Sequence, residues 1–293
     1  MESWRSALDS FQRAVELDPN YAFAFVDLAQ CYERLGQDEK AKQATMRALE
    51  LNDRLAESYV ALGRLRLREW DWPAAEQALT HALALDPNLA DAHHEYANYL
   101  RITGRIQQAV EKARRARELD PLTLLRTAFV GWMLHADRQR DAAIEEFRYA
   151  TELNPGFGEA WRGLAAPLLA KGMYGAVVEA MQTSLAVGGA NVARGPQPSV
   201  AYAYARAGKV SEARDVLEQF KAQAGQMEPG YRALGLAIIH AGLGGKDQAF
   251  AWLDRAADER YLSLPVWHQA PPFDDLRSDP RYKQLRKRMG LED

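Results

Sequence analysis

The sequence predicts an all-α repeat array of antiparallel helix pairs, and three observations predict it. Glu16-Leu17-Asp18-Pro19, Glu50-Leu51-Asn52-Asp53, Ala84-Leu85-Asp86-Pro87, Glu118-Leu119-Asp120-Pro121 and Glu152-Leu153-Asn154-Pro155 recur every 34 residues, the mark of a repeat architecture. Small residues keep that phase: Ala14, Ala48, Ala82, Ala116, Ala150 and Ser184 in one comb, Ala7, Ala41, Ala75, Ala109 and Ala143 in another. Gly36, Gly104 and Gly172 form a further comb, interrupted in phase by Trp70 and Arg138.

Each slot has a physical reason. A small residue lets two helices approach closely. Glycine near the end of the first helix can take the left-handed conformation that stops it, and proline after Leu-Asp ends the second helix and prepares the next. Phe25, Tyr59 and Trp161 share one packing slot, and Leu28, Leu62, Tyr96, Val130 and Leu164 another.

In chain order, residues 4–17 match only the second helix of a pair, so the chain is expected to open mid-repeat, on a capping helix or behind a further domain. The repeats then run to residue 187, so that 1–187 reads as an opening half-repeat plus five repeats. A turn-rich insertion is expected at 188–198. Two looser repeats fill 199–258, where the glycine spacing widens to 36 through Gly172, Gly208 and Gly244. Residues 259–293 read as a cap: Asp279 and Pro280 start a short helix and Gly290 ends it. Phe273, Leu276, Tyr282 and Leu285 then seal the last apolar face.

Composition narrows function. The 293 residues carry 37 Lys and Arg against 40 Asp and Glu, a net charge of −3, which offers no electrostatic footprint for nucleic acid or an anionic membrane. Cys31 is the lone cysteine, so neither a disulfide nor a cysteine-rich zinc site is expected. No apolar run reaches membrane-spanning length and no secretory signal opens the sequence, so a cytoplasmic location is expected.

A 34-residue helix-turn-helix unit of this pattern resembles the tetratricopeptide repeat (TPR), over nearly the whole chain. The resemblance implies a right-handed superhelical solenoid with a lone opening helix and about seven pairs. The tail, with Trp70-Asp71-Trp72-Pro73-Ala74-Ala75-Glu76, His93-His94-Glu95-Tyr96-Ala97, Lys171-Gly172-Met173-Tyr174, Ala249-Phe250-Ala251-Trp252-Leu253 and Glu259-Arg260, resembles more narrowly a TPR subgroup. That subgroup sits at the C-terminal end of multidomain bacterial regulators, behind a winged-helix domain, a nucleotide cyclase or a kinase. Trp267-His268-Gln269-Ala270 departs from its pattern.

No motif points to catalysis, and no enzyme activity, cofactor or metal is expected. His94-Glu95 would need a histidine at position 98 to complete a zinc-protease helix, and Asn98 stands there. Gly242-Leu243-Gly244-Gly245 falls on a repeat turn with no strand before it. Cys31 reads as a buried thiol.

The resemblance places the functional surface on one stripe of each first helix: Glu57, Val60, Arg64, Leu67; Asp91, His94, Asn98, Arg101; Leu125, Ala128, Trp132, His135; and Glu159, Arg162, Ala166, Leu169. From it Arg64, His94, Asn98, Arg101, Trp132, His135 and Arg162 are the candidate groove residues. Asn98 can serve a peptide backbone and the arginines its carboxylates, with Trp132 as the apolar anchor. The slots that clamp a C-terminal carboxylate in some TPR modules carry Val26 and Gln30 here, which does not support that specificity. The expected partner is a protein or peptide, or a second copy of the chain, and neither nucleic acid nor membrane. The expected function is a regulatory or scaffolding part of a larger bacterial signalling protein. A second expectation is a small-effector sensor controlling an upstream transcription or cyclase domain. Residues 259–272, with Trp267, are expected to fold over the apolar stretch of the stripe formed by Tyr202, Tyr231, Leu234 and Ile238.

Overall fold

A computed structural model describes residues 2–187, 197–261, 263–268 and 270–291. Of the expected insertion at 188–198, residues 188–196 lie outside the described residues. Every regular element among the described residues is helical, so the fold is an all-α array of helix pairs. The chain divides into two compact units, Met1–Arg126 and Thr127–Asp293.

The first unit holds α1 (Glu2–Leu17) and three pairs: α2 (Ala22–Arg34) with α3 (Asp38–Leu51), α4 (Ala56–Arg68) with α5 (Trp72–Leu85), and α6 (Ala90–Ile102) with α7 (Ile106–Leu119). The small-residue combs are the pairing surfaces: Ala48, Ala75, Ala82, Ala109 and Ala116 are fully buried. Leu8, Phe11 and Val15 of α1 pack on Leu28, Ala29 and Ala44. In α4, a Cβ on Gly63 would lie 2.5 Å from Leu79 of α5, so this mid-helix glycine is required by close approach and offsets its poor helix propensity.

The turns explain both irregularities of the glycine comb. Gly36 and Gly104 have φ of 69° and 83°, and Trp70 takes φ 59° at the same phase. Each is followed by a residue whose amide donates five residues back: Gln37 to Tyr32 at 2.9 Å, Asp71 to Arg66 at 3.0 Å, Arg105 to Leu100 at 2.8 Å. This six-to-one Schellman bond imposes the left-handed residue, so the non-glycine carries strain on the order of 1 kcal/mol. Second-helix ends are set by the Asx residue rather than by proline: Asp18, Asn52 and Asp86 accept on Oδ1 from the amides of Asn20, Arg54 and Asn88 at 2.8–3.0 Å. The turn therefore persists at Asn52, where Asp53 replaces the proline.

The second unit contains most of α8 (Leu124–Ala136), α9 (Arg140–Leu153), α10 (Gly158–Gly163), α11 (Ala165–Ala170), α12 (Tyr174–Val187), α13 (Pro198–Arg206), α14 (Val210–Ala222), α15 (Pro229–Gly242) and α16 (Lys246–Asp258). The helix expected as one piece around Trp161 is interrupted at Leu164 between α10 and α11, because Pro167 cannot donate to the carbonyl four residues back. Arg138 repeats the strained turn at φ 62°. Phe147 of α9 is fully buried and lies where Cβ atoms on Gly131 and Gly163 would come within 2.9 and 2.2 Å.

The tail folds as α17 (Leu264–Trp267), a 3-10 turn over Pro271–Leu276 and α18 (Pro280–Arg288). Asp279 accepts from the Arg281 amide at 3.0 Å and Gly290 has φ 68°, the expected start and stop. Phe273, Leu276, Tyr282 and Leu285 are buried, each of the larger apolar groups contributing about 1.5–3 kcal/mol. Arg281 lies 4.2 Å over the Phe250 ring and Arg288 bonds Asp254 at 2.7 Å, fastening α18 to α16.

Candidate functional site

In the first unit the stripe of α2, α4 and α6 becomes a cluster of charged and amide side chains. Val60 and Leu67 of that stripe are core residues, and the polar slots between them face one another. Arg64 Nε donates to Glu33 Oε2 at 3.1 Å, with both side chains largely buried. Arg101 Nη2 donates to Asn98 Oδ1 at 3.4 Å, and Asn98 also bonds Glu95. Arg126 pairs with Asp91 and, at 3.4 Å, with Asp120.

Burial and crowding set the charge states. Burial pushes the Glu95 carboxyl up, against the pull of Arg64. Burial holds His94 at about 3, with Arg126, Arg101 and Arg64 repelling the proton further, so the ring is neutral. Burial alone brings Arg101 down to about 10. Arg64 goes the other way: burial opposes its charge, and Glu33, Glu95 and Asp91 outweigh it. Within this cluster, Glu33 Oε1 and Arg101 Nε are buried and make no hydrogen bond. A half-satisfied polar network lowers stability, and such sites are candidates for a ligand that completes them.

His93 belongs elsewhere. It is buried and its Nε2 donates to the Pro87 carbonyl at 2.9 Å. Trp161, two periods later, makes the same bond to Pro155 at 3.0 Å. His93 therefore fills the slot of Phe25, Tyr59 and Trp161, a signal the sequence held in its phase. Cys31 is buried and burial pushes its thiol up, which disfavours the reactive thiolate.

In the second unit Trp132 and Arg162 share one cavity of about 310 Å³. Its walls come from Ala166 and Leu169 of α11, Met181 of α12, Tyr231, Leu234 and Ile238 of α15, and Tyr261, Trp267 and Pro271 of the tail. Trp132 meets Phe147 edge to face at 5.3 Å and Trp267 at 6.4 Å. Arg162 is exposed and pairs with Glu159. His135 sits on α8 one turn beyond Trp132 and is not part of the cavity wall. The tail lies over the apolar stripe: Tyr261 occupies the space a Gly230 Cβ would need, at 2.6 Å, and Tyr202 reaches the Pro271 carbonyl at 3.5 Å.

The sequence reading missed Glu33 and Glu95 as members of the charged cluster. Glu33 was legible, since it stands 34 residues before Leu67 and 68 before Arg101, on the same stripe. Glu95 lies off the stripe and only the packing of α6 brings it in. Among the described residues no three His, Cys, Asp or Glu side chains converge as a metal set, and no helix is long and apolar enough to cross a membrane.

The tetratricopeptide repeat profile matches residues 10–43 and 78–111, two segments that begin 78 − 10 = 68 residues apart, two periods of 34. No curated protein sequence matches the chain. Among solved structures, the chain is similar to one in the Cut9–Hcn1 hetero-tetramer of the APC/C at 17% identity and TM-score 0.67, over 99% of this chain and 53% of that one. It is similar to human IFIT1, solved as a dimer with PPP-AAAA, at 18% and 0.59, covering 88% and 69%. It is similar to pilF of Pseudomonas aeruginosa at 23% and 0.53, covering 71% and 92%. The tetratricopeptide repeat is thus matched at residues 10–43 and 78–111, and the fold of the chain is similar to that of these solved structures.

Proposed function

We propose that this chain is a non-enzymatic protein-binding module that captures a peptide or protein segment on the face shared by α2, α4 and α6. Arg64, His94, Asn98 and Arg101 are its contacts there, and Trp132, His135 and Arg162 are those of the second unit. The observation that carries this reading is the incomplete polar network: Glu33 Oε1 and Arg101 Nε are buried without partners, beside an arginine and an amide that can bond a peptide. The stretches Trp70–Glu76 and His93–Ala97 support placement in a regulatory or scaffolding region of a larger bacterial signalling protein.

The test is an array of acidic peptides probed with the wild type and with Arg101→Met. The variant removes a buried cation whose Nε makes no hydrogen bond and which burial disfavours, so it is expected to melt higher and to lose peptide capture. Unchanged capture by Arg101→Met overturns the reading. Light scattering of the wild type and Trp132→Ala determines whether the captured partner is a second copy of the chain. The small-effector reading is favoured by a different observation, the aromatic-lined cavity of the second unit.

A further inference from the structure

The cavity of the second unit differs chemically from the charged cluster of the first. At about 310 Å³ it stands at the small end of ligand sites. Trp132, Tyr231, Tyr261 and Trp267 supply aromatic surface, and Leu234 and Ile238 aliphatic surface. Among the described lining residues Arg162 is the one charged side chain, and none is acidic. Arg162, Tyr231 and Tyr261 line the cavity together, and Gln197, Ser199 and Ser263 add neutral polar groups. The pairing of Arg162 with Glu159 uses one Nη, and a guanidinium has five donors.

The geometry points to a binding site for a small aromatic carboxylate, its ring among the tryptophan and tyrosine faces and its carboxylate on Arg162. This rests on the small-effector reading and is independent of peptide capture by the first unit. Flat rings suit the aromatic walls, a carboxylate suits the guanidinium fork, and a cationic ligand would meet Arg162 with repulsion. Trp267 ties occupancy to the tail, because the same ring that walls the cavity rests against Trp132.

The test is calorimetric titration of the full chain with 2-naphthoate and with its neutral analogue 2-naphthamide. Naphthoate is expected to bind about tenfold more tightly, the usual scale of a hydrogen bond to a charged group. Arg162→Gln is expected to abolish that preference, and Ser199→Trp, which places a bulky ring at a lining position outside the core, to abolish binding of both, with circular dichroism confirming that each variant is folded. Equal affinity for both probes, or a preference that survives Arg162→Gln, overturns the carboxylate assignment and leaves the small-effector reading in place. Binding of neither probe, or binding that survives Ser199→Trp, overturns both.

Discussion

The two units are built from the same helix pair and use its first-helix stripe in opposite ways. In Met1–Arg126 the stripe is polar, with Glu33, Arg64, Asn98 and Arg101 facing one another and two of their atoms unpartnered. In Thr127–Asp293 it is largely apolar around Trp132, Ala166, Leu234 and Ile238, with Arg162 as the charged exception in the cavity wall, and the tail already lies against it through Tyr261, Trp267 and Pro271. The repeat positions are equivalent, so the difference comes from side chains alone: Asn98 is replaced one period later by Trp132 and two periods later by Ala166. A repeat scaffold tolerates this because its stability comes from the pairing slots, which stay small and buried in both units.

The largest effect should follow from stripping the second unit of its cover. Deleting residues 259–293 exposes Leu234, Ile238 and the faces that Leu264, Phe273 and Leu285 fill, and is expected to make α13–α16 protease-sensitive and dye-binding. Unchanged proteolysis would mean that the tail is dispensable and the contrast between the units is not one of cover. Phe147→Ala comes next, leaving a cavity between Gly131 and Gly163; a loss of about 3–5 kcal/mol is expected in chemical denaturation, followed by the fluorescence of the neighbouring Trp132.

The first unit is probed by pH. His94 sits near 3 in the folded state against 6.5 for the free ring, so between these values the unfolded chain binds more protons and stability falls as pH is lowered. The fall attributable to His94 should reach at most about 1.4 kcal/mol per pH unit. Glu95, raised by burial, works in the opposite sense, losing stability as pH rises through its folded value. Urea titrations of wild type and His94→Gln from pH 7 to 4 should therefore diverge below about pH 6.5, with the variant the less acid-sensitive. Parallel curves would show that the ring is solvated and the cluster open. The smallest effect is expected at a turn: Arg138→Gly relieves the left-handed strain at φ 62° and should raise stability by about 1 kcal/mol, read as a small upward shift of Tm.

Much of the fold was legible because the repeat states each slot several times. The buried alanine combs and the cap of Asp279, Phe273, Tyr282 and Leu285 all follow from local rules of capping and burial. Other features were less legible. The mid-helix glycines at 63, 131 and 163 look like weak helix positions until Leu79 and Phe147 are seen against them. The break at Leu164 depends on Pro167, which sequence phase alone had absorbed into a single helix. His93 stands in phase with Phe25, Tyr59 and Trp161, but its place in that slot shows only in the bond to Pro87 that matches the bond of Trp161 to Pro155.

By itself the sequence determined the period, the helix pairs and the residues at which each helix stops, because these depend on backbone conformation and on contacts between neighbouring helices. Tertiary structure decided which polar stripe residues meet, which are left unpartnered and where a cavity forms. Those outcomes depend on the packing of side chains from helices 30 or more residues apart, as Glu33 with Arg64 and Trp132 with Trp267 show, and on the desolvation that this packing imposes on charge.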